Sequence, residues 1–400
     1  MHGALGLLIA GSASAAAHAQ TVSDRVTELS FTAELRHDGN ALRSAGVVTE
    51  QGVAESDERL RVGTSLVLAR PFGRNSVSID GFLGYDFYRR NSRLNRERIA
   101  LSGDAEIDAG FCQLSLLPKF NRQQSDLYDL AVFDLPGIDS VRNTEMTQVY
   151  RGELRCGNPV GIRPLVYYER SYGNNSNPIR KISNYHGETF GGGLSYTNPV
   201  LGRFDLSVER ENMHYTNRPT SFGLTGFQLD QVRLAASRDI GAVLTADGSI
   251  AYSHLKPENS GVSGFNGLSW SLGLTFVPIT DLRLRANLMQ DLQPDLGNSA
   301  LYSRNREWHL AATYQLGART SATVGVSRSD RVYRGASALY GPLLSSDRLD
   351  QISGRLDFAA SRRLSFGVEV GHEHRNANGT FYDYHNTYVA LNGRFTLGTS

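Results

Sequence analysis

From Glu28 onward, apolar and polar residues alternate one by one in runs of about ten, separated by connections rich in Gly, Asn, Asp and Pro. A period of two places successive side chains on opposite faces of an extended strand. In the first run Leu29, Phe31, Ala33 and Leu35 share one face, while Glu28, Ser30, Thr32, Glu34 and Arg36 share the other. The same pattern predicts strands over Leu60 to Leu68, Val77 to Phe87, Ile99 to Ala109, Leu268 to Phe276 and Leu282 to Leu288. It continues over Trp308 to Leu316, Ile352 to Phe358, Leu364 to Val370 and Val389 to Leu397. Gly187 to Tyr196 and Phe227 to Ser237 are assigned mainly by spacing.

The connections alternate in length. Arg70 to Asn75, Asn158 to Gly161, Val277 to Asp281, Gly317 to Thr320 and Ala360 to Arg363 are short and carry residues suited to tight turns. Between them fall long polar stretches: Asp38 to Glu58, Gln123 to Met146, Gly173 to Tyr185, Met213 to Gly226, Gln290 to Arg306 and Arg334 to Arg348. Short turns at one end and long loops at the other are the layout of a transmembrane antiparallel β-barrel. Every segment counted, the chain holds about 18 strands (16 to 18), at about 21 residues per strand with its connection.

Charge supports this face assignment. One face of each strand is free of charge in its centre; the opposite faces carry Arg59, Arg61, Asp80, Asp86, Asp104, Glu106, Asp108, Glu209, Arg283, Arg285, Arg355, Asp357 and Glu369. A charge facing the bilayer midplane costs about 2 to 4 kcal/mol, whereas a water-filled lumen accommodates it. Tyr85, Phe87, Trp270, Phe276, Trp308, Tyr314, Phe358 and Phe395 stand toward the ends of the apolar faces, where interfacial aromatic girdles belong. A large soluble β-sandwich, the competing class, has no reason to sort its connections by length.

The chain has 400 residues, with 41 basic and 40 acidic side chains and a formal charge of +1. That balance removes the electrostatic case for a nucleic-acid partner. A mean hydropathy of -0.32 excludes a bundle of membrane helices. Gly3 to Gly11 form an apolar run and Ala17-His18-Ala19 supplies the small-x-small pattern of a signal-peptidase site, so residues 1–19 are expected to be a signal peptide and 20–400 the barrel.

On these features the chain resembles the outer-membrane β-barrel proteins of proteobacteria. Its last strand, Tyr388 to Leu397, is similar to the C-terminal signal that the barrel-assembly machinery recognises, although the chain ends on Ser400 rather than on an aromatic residue. The texture of Asp80-Gly81-Phe82-Leu83-Gly84-Tyr85-Asp86-Phe87-Tyr88 resembles β-barrel porins associated with exopolysaccharide export. The resemblance implies residence in outer-membrane lipid, a polysaccharide cargo and a periplasmic export partner.

Candidate chemistry follows from the inward faces. Arg59, Arg61, Arg90 and Arg98 near the extracellular end, and Arg283, Arg285 and Arg355 lower down, could hold an acidic cargo through bidentate contacts, or could merely brace the wall through ion pairs. Asp126, Asp129, Asp134 and Asp139 sit among apolar residues in the loop from Gln123 to Met146, which is expected to fold inward as a constriction or to remain an ordinary surface loop; its spacing matches no calcium loop. Cys112 and Cys156 fall at the periplasmic ends of neighbouring antiparallel strands, within reach of a disulfide, with free thiols the alternative. His372-Glu373-His374 would need a further ligand, such as His385, to hold zinc, so no metal, cofactor or enzymatic role is assigned. The expected function is an outer-membrane channel for a secreted exopolysaccharide or other hydrophilic solute; the alternative is a non-conducting structural or adhesive barrel acting through its loops.

Overall fold

A computed structural model describes residues 26–43, 54–125, 143–218, 225–259, 261–297, 300–335, 344–379 and 382–399. The first strands are β1 (Val26–Asp38), β2 (Asp57–Phe72), β3 (Asn75–Tyr88), β4 (Arg96–Ala109), β5 (Cys112–Gln124) and β6 (Thr144–Cys156). Then come β7 (Gly161–Asn175), β8 (Tyr185–Asn198), β9 (Gly202–Tyr215), β10 (Gly226–Ile240), β11 (Leu244–Pro257) and β12 (Phe265–Ile279). The last are β13 (Leu282–Pro294), β14 (Tyr302–Gly317), β15 (Thr320–Arg334), β16 (Ser346–Ala359), β17 (Leu364–Ala377) and β18 (Tyr384–Thr399). Every strand pairs antiparallel with its sequence neighbours, and β1 pairs with both β2 and β18, which closes the 18-stranded sheet into a barrel.

Closure leaves no unpaired sheet edge, the condition for a sheet to cross a bilayer. The outward face carries a belt of large apolar side chains exposed to the surroundings, among them Phe31, Leu83, Leu206, Val232, Ile250, Leu310, Ile352, Phe366, Val370 and Leu391. Polar residues alternate with them into the lumen. This inverts the usual globular arrangement: the apolar surface is outside, and the barrel is built to face lipid.

The strands run further than the apolar alternation predicts. β13 continues six residues past Leu288 to Pro294, and β7 reaches Asn175 within the stretch expected to be a loop. Above the belt water wets both faces, so the pairing persists while the contrast between faces disappears. The short connections tighten accordingly; only Gly73 and Arg74 separate β2 from β3, with Gly73 at φ 67°.

Glycine lets aromatic rings lie flat on the lumen wall. Tyr388 is directly paired with Gly371, and a Cβ there would collide with its ring. Tyr167 rests on Gly191 in the same way, and Phe82 lies over Gly63 and Gly84, where a Cβ would come within 2.6 to 2.7 Å of ring carbons.

Cys112 and Cys156 are directly paired on the outward face of β5 and β6, with Sγ atoms 2.00 Å apart and Cα atoms 3.9 Å apart. Mass spectrometry of non-reduced protein matured in an oxidising compartment should find this linkage, and reduction should cost about 2 to 4 kcal/mol of stability for a closed loop of this size. Alkylation of both thiols without reductant would exclude the bridge.

Candidate functional site: the lumen and its extracellular lid

Ion pairs cover much of the lumen wall. Arg61 grips Asp86 on the neighbouring strand at 2.5 and 2.8 Å, Arg59 pairs with Glu34, and Arg355 holds Asp357 at 2.7 Å and Glu369 at 3.6 Å. Arg98 projects from β4 at the position paired with Gly84, beside Asp86. Arg90 departs from the expected lumen placement. It lies in the connection after β3, where its backbone N–H donates to Asp57, because β3 ends at Tyr88.

A second network lines the wall from β6 to β10. Arg151 reaches Glu153 at 3.1 Å and Glu169 at 3.7 Å; Arg203 holds Asp205 at 2.8 Å; Arg233 holds Glu209 at 2.7 Å. Arg155 pairs with Glu153 and lies 3.5 Å from Asp205. The Arg151 guanidinium stacks 3.9 Å above the Tyr167 ring, whose hydroxyl donates to Glu209. These side chains border a cleft of about 60 Å³. The opposite wall repeats the arrangement: Arg36 stacks 3.6 Å above Tyr388, whose hydroxyl donates to Glu369 at 2.8 Å.

Arg283 and Arg285 differ from the other nominated arginines. They are the second and fourth residues of β13 after the periplasmic turn, and among the described residues neither has a carboxylate within 4 Å. Their direct cross-strand neighbours are Thr313, Ala311 and Thr275, all uncharged. Across the barrel, β3 and β4 point Asp80, Asp104 and Glu106 inward, with no Arg or Lys within 4 Å among the described residues, although Arg155, Arg163 and Arg203 act on Glu106 from further along the wall. β4 and β13 stand nine strands apart in a ring of 18, so the periplasmic half of the lumen has an acidic wall facing a basic one.

Described residues of the polar stretch Gln290 to Arg306, which its composition marks only as a long loop, reach over the extracellular mouth. Between β13 and β14 the described residues 295–297 and 300–301 bond through their backbone to Asn175 of β7, to Tyr215 of β9 and to Arg218 beyond it. The Tyr215 hydroxyl donates to the Leu301 carbonyl at 2.6 Å and accepts from the Asp295 N–H at 2.9 Å. Arg218 donates to the Ala300 carbonyl at 2.6 Å, and Asn175 Nδ2 to that of Leu296 at 3.3 Å. Asp295 closes the segment on itself by accepting from the Ala300 N–H at 2.8 Å. Leu301 packs among the lumen-facing Tyr185, Met213, Tyr215, Phe227, Leu229 and Leu255.

Ala300, fully buried, then joins Tyr333, Leu344 and Tyr382, with Ile179 against them. Four connections (β7–β8, β13–β14, β15–β16 and β17–β18) thus meet over the mouth around one apolar cluster. Burial holds the Tyr382 hydroxyl up at about 12, so this lid carries no phenolate near neutral pH. Asp126, Asp129, Asp134 and Asp139 lie outside the described residues, as does the segment 1–19. The expected inward fold of the Gln123 to Met146 loop thus falls outside the described residues, while the β13–β14 connection narrows the mouth. The signal for it was the apolar run Ala300-Leu301-Tyr302 inside a polar stretch.

His372, His374 and His385 all face outward above the apolar belt, with His374 directly paired to His385 and His372 Nδ1 2.8 Å from Thr387 Oγ1. Among the described residues no group of three or more His, Cys, Asp or Glu side chains is arranged to hold a metal ion.

No protein-family model matches the chain. No curated protein matches it either. Solved structures do. Pseudomonas aeruginosa OccK2 (OpdF), crystallised with glucuronate, is 12% identical over 94% of this chain and 99% of its own, with a TM-score of 0.49. P. aeruginosa OpdK with vanillate is 10% identical over 94% and 99%, with a TM-score of 0.45. A BenF-like porin from Pseudomonas fluorescens Pf-5 is 9% identical over the same shares, with a TM-score of 0.47.

Proposed function

We propose that this protein is a channel of the bacterial outer membrane that passes hydrophilic solutes through its charged lumen. The observation that carries the reading is the pairing of a lipid-facing apolar belt with a lumen lined by ionisable side chains from every quarter of the wall. A barrel that only anchored its loops would have no use for an acidic wall set opposite a basic one.

The solute class follows from the charges left without partners. Arg283 and Arg285 attract anions near the periplasmic end, and Asp80, Asp104 and Glu106 favour the cationic end of a dipolar solute. An acidic sugar fits the basic wall, and a secreted exopolysaccharide is the polymeric form of that chemistry; its passage requires the lid to swing clear. The lid also favours one alternative, a barrel that stays shut and acts through its loops.

Reconstitution in planar bilayers separates these readings. Steady current that an acidic oligosaccharide blocks supports a channel for anionic sugars. Current that the sugar leaves unchanged supports a channel for smaller solutes. Silence from protein shown to be folded by its unheated gel mobility supports the shut barrel.

A further inference from the structure

The β12–β13 ladder stops short at its extracellular end. Its last step pairs Trp270 with Gln290, although β12 extends above it to Phe265 and β13 to Pro294. The ladders on either side run on: Leu255 of β11 pairs with Phe265, and Pro294 pairs with Tyr302 of β14. A side chain fills the first missing step. Gln290 Nε2 donates to the Leu268 carbonyl at 2.7 Å, and Arg306 donates to Gln290 Oε1 at 2.8 and 3.1 Å.

The alternation of faces shows where the top of β13 lies. Leu292 and Tyr302 stand on the same face of β13 and β14 as Leu288 and Trp308, the outward one. Phe227, Leu229, Leu255 and Phe265 stand on the inward face of β10, β11 and β12, opposite to Val232 and Ile250. Yet the two sets pack together, with the Tyr302 and Phe227 ring centroids 6.1 Å apart and the Tyr302 hydroxyl donating to the Ser263 carbonyl at 2.8 Å. An outward face meets an inward one only if the tops of β13 and β14 lie inside the tops of β10 to β12. The wall overlaps itself at this seam, and the segment over the mouth continues the inner flap.

The unmade steps match one another. The Trp270–Gln290 step sets Leu268 opposite Leu292 and Asn266 opposite Pro294 in the continued register. A strand residue turns its N–H and C=O to the same side, and residues two apart repeat it. The Leu268 carbonyl faces the seam, so Asn266 does too. On β13 the bond from the Gln315 N–H to the Asp281 carbonyl turns the odd positions to β14 and leaves Leu292 turned to β12. In a completed ladder Leu268 and Leu292 would donate to each other and Asn266 to the Pro294 carbonyl, a step that asks no N–H of proline.

We propose that the channel opens by completing this ladder: the tops of β13 and β14 swing outward about the Trp270–Gln290 step, β13 zips onto β12, and residues 295–297 and 300–301 leave the mouth with them. This rests on the channel reading. The backbone bonds gained at the seam offset those the flap gives up at Asn175, Tyr215 and Arg218, so the two arrangements form a bistable pair. Opening also uncovers Phe227, Leu229 and Leu255, which makes the shut form the resting one.

A Leu268→Cys/Leu292→Cys variant of the full chain tests the hinge. In the overlapped wall Leu268 faces out from β12 while Leu292 faces β12 from within, so the strand separates the two thiols. In the completed ladder their Cα atoms stand about 4.5 to 5.5 Å apart, within disulfide range. Mass spectrometry of the oxidised variant should find the 268–292 linkage. Its open fraction in planar bilayers should exceed that of either single variant by roughly tenfold. A linkage that leaves the open fraction unchanged would overturn the proposal, as would its absence from a variant of unchanged unheated gel mobility that conducts.

Hydrogen exchange reads the same step without cysteines. Releasing the flap by Tyr215→Phe/Arg218→Ala should slow exchange at the Asn266, Leu268 and Leu292 amides by roughly tenfold, although the variant loses bonds elsewhere. Faster exchange there would mean that the flap lifts without zipping, which overturns the hinge. Linkage and slowed exchange in a barrel that never conducts would overturn the channel reading and the gating role with it, whereas conduction with neither overturns the hinge alone.

Discussion

Combining Tyr215→Phe with Arg218→Ala should open the channel far more of the time. The phenol bridges the Asp295 N–H and the Leu301 carbonyl, and the guanidinium holds the Ala300 carbonyl, so the pair of changes removes three hydrogen bonds from the segment across the mouth. At about 0.5 to 1.5 kcal/mol each, a net bias of about 2 kcal/mol is a modest expectation. That bias shifts a two-state equilibrium by about thirtyfold. Single-channel records should show it as long open dwells replacing brief ones, with unitary conductance of the open state changed little. The barrel itself should be unaffected, because none of the lost bonds belongs to a strand ladder. Records indistinguishable from wild type would show that the lid does not control the opening.

Selectivity should invert when Arg283 and Arg285 are both made Glu. The double change moves the local lumen charge by four units, at positions with no carboxylate partner to absorb it. The anion-to-cation permeability ratio, read from reversal potentials in a salt gradient, should fall by about an order of magnitude and should do so most at low ionic strength, where screening is weakest. A fitting control neutralises the compensated pair by Arg59→Gln with Glu34→Gln, which removes one charge of each sign and should leave the ratio near its starting value. Equal effects from both variants would mean that the unpartnered arginines carry no special weight.

The barrel was legible in the sequence because lipid imposes a strict rule on every second residue. Where lipid stops, so does the rule. On β7 the outward positions after Tyr168 are Arg170 and Tyr172 while Ser171 and Gly173 face inward; with both faces polar, the strand cannot be told from a loop. The nature of the lumen was legible by residue type, but its partnerships were not. Arg61 meets Asp86 across 25 residues because register brings them side by side, and register also surrounds Arg283 with neutral neighbours. No local pattern distinguishes these two arginines. The lid lies further out of reach still, since Tyr215 and Leu301 are 86 residues apart and meet only once the wall between them has curved.

The bridge at the base of β5 and β6 bears on how the barrel enters the membrane. Its cysteines are 44 positions apart and enclose both strands and the connection between them. If the bond forms in the periplasm, the two strands are no longer independent when they reach the bilayer. They form a closed ring that must cross as a doubled hairpin, connection first. Strand-by-strand insertion is then forbidden for this segment, and the sixth strand cannot lag behind the fifth. The order of assembly around the wall is to that extent written in covalent chemistry before any lipid is met.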